Sequence, residues 1–205
     1  MKIAIVSGSH RKVSESVRIA HYIETDLKKL NISTYLLSLA NNPLLLWDEG
    51  TWEEQGKAGQ EKWQKLWSPI STELQSADGV VVVAPEWAGM VPAGLKNFFL
   101  LCDAGELAHK PGLIVAISSG LGGSYPVAEL RTSSYKNSRF CYIPDHLIVR
   151  NCEHMFKAEP ASDKHDQSLR QRLTYSLKVL IEYAKAMRGV RASGVIDAES
   201  YPYGM

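Results

Sequence analysis

Met1-Lys2-Ile3-Ala4-Ile5-Val6-Ser7-Gly8-Ser9-His10-Arg11-Lys12-Val13-Ser14-Glu15-Ser16 opens the chain. An apolar run over residues 3–6 stops at small residues, and a segment of helical periodicity follows over 14–30, with Val17, Ala20, Ile23 and Leu27 on one face. A run without polar alternation suits a strand buried on both faces, as in parallel sheets. Residues 33–39 supply the next apolar run, so the opening reads as a β-α-β unit.

The same pattern continues outward. Apolar runs at 80–84, 113–117 and 146–149 predict three more strands. The crossover over 41–74 reads as a loop carrying Pro43, then one or two helices, and its Trp-rich segment 52–67 reads as core or as a subunit contact. The third crossover starts at Pro92, well placed in a first helical turn, and carries Leu95, Phe98, Phe99 and Cys102. Residues 124–135 form the fourth. Residues 164–187, with Leu169, Leu173, Leu177, Leu180, Ile181 and Ala184 on one face, predict a long closing helix before Gly189. Five strands alternating with helices specify a doubly wound, three-layer α/β domain over 1–189, with 190–205 as a tail.

The 205 residues suit one domain. With 23 Lys and Arg against 22 Asp and Glu, the net charge of +1 provides no global field for nucleic acid or an anionic membrane, so any anion must be bound locally. Cys102, Cys141 and Cys152 do not resemble a disulfide framework, which points to a reducing compartment and a cytoplasmic protein. The spacing of Cys141, Cys152 and His154 matches no zinc motif, and no metal site is expected. The first strand runs directly into a turn without a leader pattern, and no apolar stretch is long enough to span a bilayer.

Ligands of doubly wound sheets sit beyond the carboxyl ends of the strands, so the loops there carry the chemistry. After the first strand, Ser9, Arg11, Ser14 and Ser16 bring hydroxyls and a guanidinium to a helix N-terminus, a phosphate-binding arrangement. The loop has neither the Walker nor the Gly-x-Gly-x-x-Gly pattern, and Ser14 as a plain N-cap with Arg11 as a surface charge explains it equally well. After the third strand, Pro85-Glu86-Trp87-Ala88-Gly89 joins a stiffened loop to a permissive glycine, suited to a flat heterocycle or to an ordinary turn. After the fourth, Ser118-Ser119-Gly120-Leu121-Gly122-Gly123 lets backbone pass close to a ligand or simply turns tightly into a helix.

In this order the loops resemble the NADPH-dependent FMN reductase family. Its Gly-Ser-x-Arg-x-x-Ser pattern is matched by Gly8, Ser9, Arg11 and Ser14. Its Pro-Glu-Tyr-Asn-Gly block is approached by residues 85–89, and Pro and Leu-Lys-Asn follow at Pro92 and at Leu95, Lys96 and Asn97. Gly122-Gly123, Ala128 and Leu130-Arg131 echo a third block. Trp87 stands where the family has Tyr, Ala88 where it has Asn, and Ser16 where Asn is frequent.

The resemblance implies a flavodoxin-like sheet of order 2-1-3-4-5 that binds FMN. Ser9, Arg11, Ser14 and Ser16 would surround the phosphate, while Pro85, Glu86, Trp87, Ala88 and Gly89 would face the isoalloxazine edge. Ser119, Gly120 and Gly122 would approach its other side. It further implies an oxidoreductase that passes reducing equivalents from NADPH or NADH through FMN to a small acceptor such as a quinone, free flavin or azo compound, without a catalytic side chain. A homodimer or homotetramer is implied as well. The alternatives are a flavodoxin-type electron carrier and a flavin-binding sensor. Carriers are often strongly acidic, whereas this chain is near neutral, which favours the enzyme.

Overall fold

A computed structural model describes residues 1–54, 60–103, 105–157 and 159–201, with residues 52–54, 60 and 62 in backbone only. The described elements are β1 (Lys2–Ser7), α1 (Glu15–Lys29), β2 (Ser33–Ser38), α2 (Glu49–Glu54), α3 (Gln60–Leu66), α4 (Ser68–Gln75), β3 (Gly79–Pro85), α5 (Ala93–Leu101), β4 (Pro111–Ile117), α6 (Ser124–Thr132), β5 (Cys141–Val149) and α7 (Lys164–Ala192). The strands form one sheet of order β2-β1-β3-β4-β5, and every pairing is parallel. This is the flavodoxin-like order. Strand order reverses at β1, so the loops after β1 and β3 flank the crevice in which such sheets bind ligands.

The central strands are apolar throughout because both of their faces are covered. Val81 and Val83 of β3 pack with Ile19 and Ile23 of α1 and with Leu173 and Leu177 of α7. Val80 and Val82 face the opposite way, toward Trp67, Leu74, Leu95 and Phe98. This alternation follows the period-two direction of strand side chains and gives two cores, one on each side of the sheet.

Four boundaries differ from the sequence expectation. Among its described residues the crossover between β2 and β3 holds three helices, α2 to α4, and α3 and α4 are separate because the chain breaks at Trp67 and restarts with Pro69 in the first turn of α4. Trp67 is core, Trp63 packs against it partly buried, and the side chain of Trp52 lies outside the described residues. Strand β5 begins at Cys141, not at residue 146, and α6 ends at Thr132, not at 135. An edge strand tolerates the exposed Pro144, and the register shift between Gly112 and Ile114 absorbs the irregularity.

The fourth difference is the end of the closing helix, expected before Gly189, since α7 continues to Ala192. Gly189 is exposed with open space where a Cβ would stand, so it weakens the helix without forcing a turn. The last turns are pinned instead by Asp78 at the foot of β3, whose carboxylate accepts from Arg188 Nε at 2.7 Å and Nη2 at 2.6 Å.

Candidate functional site

Loops after β1, β3, β4 and β5 meet at one edge of the sheet. The loop after β1 lies close against its neighbours: the Gly8 amide donates to Val83 O at 2.8 Å, and a Cβ on Gly8 would stand 2.6 Å from Leu95 Cδ2. A side chain here would have to displace Leu95. Ser9 is buried and its Oγ accepts from the Arg11 amide at 3.3 Å, while Ser14 caps α1 by accepting from the Val17 amide at 3.4 Å. Ser16 is buried in the first turn. The Arg11 side chain is exposed, and its guanidinium has no partner among the described residues.

The loop after β3 makes a two-residue reversal. Trp87 and Met90 exchange backbone hydrogen bonds of 3.0 and 2.9 Å, with Ala88 at φ 49° and Gly89 at φ 75° between them. Two successive positive φ values define the tight turn that matches strand twist. The Trp87 ring stands edge-on to the His10 imidazole, with centroids 4.5 Å apart and planes at 77°. Glu86 turns away from this hairpin: its Oε2 accepts the Gly123 amide at 2.5 Å, so it caps α6 from across the crevice. A carboxylate there also meets the positive end of the helix.

The loop after β4 is stitched to the segment after β5. The Asn151 amide donates to Gly120 O at 3.1 Å and the Cys152 amide to Ser118 O at 3.0 Å. Arg18 of α1 reaches the same segment, donating to Cys152 O at 2.7 Å and Phe156 O at 3.0 Å while it pairs with Glu15 at 2.5 Å.

Together these loops enclose a cavity of about 150 Å³. Of the residues singled out in the sequence, Ser9, Arg11, Ser14, Ser16, Pro85, Glu86, Trp87 and Ser119 line it. Ala88, Gly89, Gly120 and Gly122 do not, and stand in the turns that shape its rim. Sequence reasoning placed Ser118 in a ligand-side loop without assigning it a contact and missed Glu15, Ile117, Cys152 and Glu153; these five complete the wall. Burial pushes the Cys152 thiol above its ordinary pKa, which keeps it protonated and poorly nucleophilic. Glu15 is answered by Arg18 and Glu86 by an amide, while Arg11 and the exposed Glu153 of the same wall make no ion pair among the described residues. Among the described residues, no three His, Cys, Asp or Glu side chains are grouped to hold a metal.

Comparison with known proteins places this edge in context. Residues 1–154 match the family model of NADPH-dependent FMN reductase. A NADPH azoreductase of Bacillus sp. (strain OY1-2) is 28% identical over 149 residues, covering 73% of this chain and 76% of that protein. A quinone reductase of Escherichia coli (strain K12) is 29% identical over 126 residues, 60% of this chain and 63% of its own length. Among solved structures, the flavoenzyme NAD(P)H:(acceptor) oxidoreductase FerB from Paracoccus denitrificans superposes with a TM-score of 0.69 at 15% identity, over 91% of this chain and 98% of that one. By its match from β1 through the segment after β5, the chain belongs to the NADPH-dependent FMN reductase family.

Proposed function

We propose that the cavity at the carboxyl edge is the FMN site of an NAD(P)H-dependent oxidoreductase that reduces small acceptors such as quinones, flavins or azo compounds. Arg11 carries the reading: it is a fixed cation without a partner among the described residues, beside Ser9, Ser14 and Ser16 at the N-terminus of α1. Unsatisfied amides of a first helical turn and a guanidinium are complementary to a terminal phosphate. The enclosed volume is below the ~300–1,000 Å³ of most small-molecule sites. It therefore suits part of FMN: Ser9, Arg11, Ser14 and Ser16 would hold the phosphate, and the ring would extend from the cavity to its open lip, against Pro85, Trp87, Ala88 and Gly89 on one side and Ser119, Gly120 and Gly122 on the other, with Glu86 committed to the Gly123 amide.

FMN, when bound, accepts hydride from NAD(P)H and passes electrons to the acceptor. The chain supplies position. Arg11 neutralises the phosphate, the buried Ser9 hydroxyl offers a pre-oriented partner, and Trp87, braced by His10, shields one side from water. No side-chain acid or base is assigned. The azoreductase and quinone reductase relatives support a small-molecule acceptor.

Three free cysteines agree with a reducing, cytoplasmic setting, and no helix among the described residues is long and apolar enough to cross a membrane. The open lip favours a homodimer or homotetramer in which a second copy covers it. The deciding experiment is the absorption spectrum of purified protein, followed by titration with FMN and FAD and by NADPH oxidation with a quinone. We expect FMN binding tighter than FAD binding, and turnover. Absence of flavin binding, or a preference for FAD, overturns the site; bound FMN without NAD(P)H oxidation makes the protein a carrier or sensor instead.

A further inference from the structure

One peptide group in the loop after β4 is held at both ends by full charges. Arg150, the residue after β5, turns its half-buried side chain back along the sheet edge. Its Nε donates to Leu121 O at 2.6 Å and to Gly122 O at 3.1 Å, and Nη2 reaches Ser124 Oγ at 3.5 Å. On the other side of the same peptide, the Gly123 amide donates to Glu86 Oε2 at 2.5 Å. The Gly122–Gly123 carbonyl thus faces a cation and its N–H faces an anion. Gly123 has φ 104°, and a Cβ on Gly122 would stand 2.5 Å from Glu86 Oε1, so the clamp closes only on these glycines.

Helix stability does not account for Arg150. Its guanidinium has no carboxylate partner among the described residues, and it stands at the N-terminal end of α6, where a cation opposes the helix dipole. What the arrangement does fix is the path of residues 118–123, and Ser118 and Ser119 of that path line the cavity.

We propose that Arg150 is a positioning residue for the flavin ring, acting with Glu86 through the Gly122–Gly123 peptide to hold the loop after β4 in its binding conformation. This rests on the reading of the cavity as the FMN site. Because the clamp acts on the ring side, its loss affects FMN and riboflavin alike.

The test is titration of the full chain with FMN and with riboflavin, comparing Arg150→Ala, Arg150→Lys, Glu86→Ala and Glu86→Gln with the unsubstituted protein. Arg150→Ala is expected to weaken both ligands by the same factor, roughly tenfold, as for loss of a charge-assisted hydrogen bond. Arg150→Lys restores part of the affinity, since an ammonium still reaches a carbonyl. Glu86→Gln restores most of what Glu86→Ala loses, because the amide oxygen still accepts the Gly123 N–H. The visible circular dichroism of bound flavin should change in the alanine variants and return in the conservative ones.

Affinities unchanged in Arg150→Ala while the unsubstituted protein binds normally would overturn the clamp alone. Weakening of FMN only would make Arg150 a phosphate contact and overturn it also. Equal losses in the alanine and conservative variants, together with a large fall in flavin-free melting temperature, would reduce the clamp to general structure. Failure of the unsubstituted protein to bind either flavin removes the site itself, and the clamp's role with it.

Discussion

Arg11 and Ala88 show how much a single position decides at this edge. Arg11→Ala should weaken FMN by about 1.5–3 kcal/mol, roughly tenfold to over a hundredfold, because it removes a charge-assisted contact from an exposed side chain. Riboflavin, which lacks the phosphate, should bind the variant as it binds the parent protein, and the melting temperature without flavin should hardly move. Equal loss for both ligands would misplace the phosphate. Ala88 carries a different cost, since its φ of 49° lies in the left-handed region, which Asn tolerates better than Ala. Ala88→Asn is therefore expected to stabilise the protein by about 0.5–1 kcal/mol, seen as a higher urea midpoint with an unchanged slope. The residues legible in the sequence are those whose chemistry is local: Ser9, Arg11, Ser14 and Ser16 fall within one turn and its helix start. Glu86 was legible only as a member of its loop, because its partner Gly123 lies 37 residues on. Cys152 and Glu153 carry no motif, and Cys152 is held at the wall by backbone and Arg18 contacts that no spacing announces.

At the scale of elements, apolar runs alternating with amphipathic helices made the α/β layering readable, since strands covered on both faces have no other pattern to show. The end of α7 was not readable, because a local stop signal at Gly189 is overridden by contacts to a residue 110 positions before Arg188. Asp78 also accepts the Lys2 amide at 3.0 Å and Arg191 at 3.4 Å, so one carboxylate ties β1, β3 and α7 together. The Arg188 hydrogen bond holds the Asp78 carboxyl below its ordinary pKa, with burial opposing and the Lys2 amide helping. A depressed folded pKa gives stability that is fully present above the unfolded carboxyl value, about 3.9, and is lost as pH falls through the folded value. Asp78→Asn should therefore lower unfolding free energy by about 1–2 kcal/mol at neutral pH. The gap between variant and parent should begin to narrow below the unfolded carboxyl value, about 3.9, and close as pH falls through the lower folded value, where the native carboxyl also becomes neutral. Denaturant melts at several pH values check this; a gap that is constant with pH would mean that the pair contributes no ionic stabilisation. Strand β5 was half legible for a related reason, since Pro144 interrupts an apolar run that only its edge position permits.

For the whole molecule, the question is what covers the open lip of the site. Within the Trp-rich segment, Trp67 is spent on the core and Trp63 packs against it. Apolar surface lies elsewhere, in a groove of about 440 Å³ between α5 and α6 lined by Val91, Phe99, Leu100, Leu130 and Tyr135. Met90, Leu100, Tyr125 and Tyr135 stand exposed at or near it, and a Cβ on Gly89 would lie 3.9 Å from the Tyr125 ring, so this surface runs up to the turn after β3. Glu129 fastens the two together, accepting the Val91 amide at 2.7 Å and pairing with Lys96 at 2.5 Å. A near-neutral chain carries no strong self-repulsion, so apolar burial is free to drive association. Each Leu buried there contributes about 1.5–3 kcal/mol, whereas a carboxylate in its place opposes contact. The expected outcome is a dimer or larger assembly of the parent protein by light scattering, a shift of Leu100→Glu toward monomer, and weaker FMN binding in that monomer because the lip is uncovered. Leu100 is exposed within each copy, so the substitution should leave the flavin-free fold of the single chain intact by circular dichroism. A parent protein that is monomeric at high concentration, or a Leu100→Glu variant unchanged in mass and in FMN affinity, would assign the covering of the ring to this chain alone.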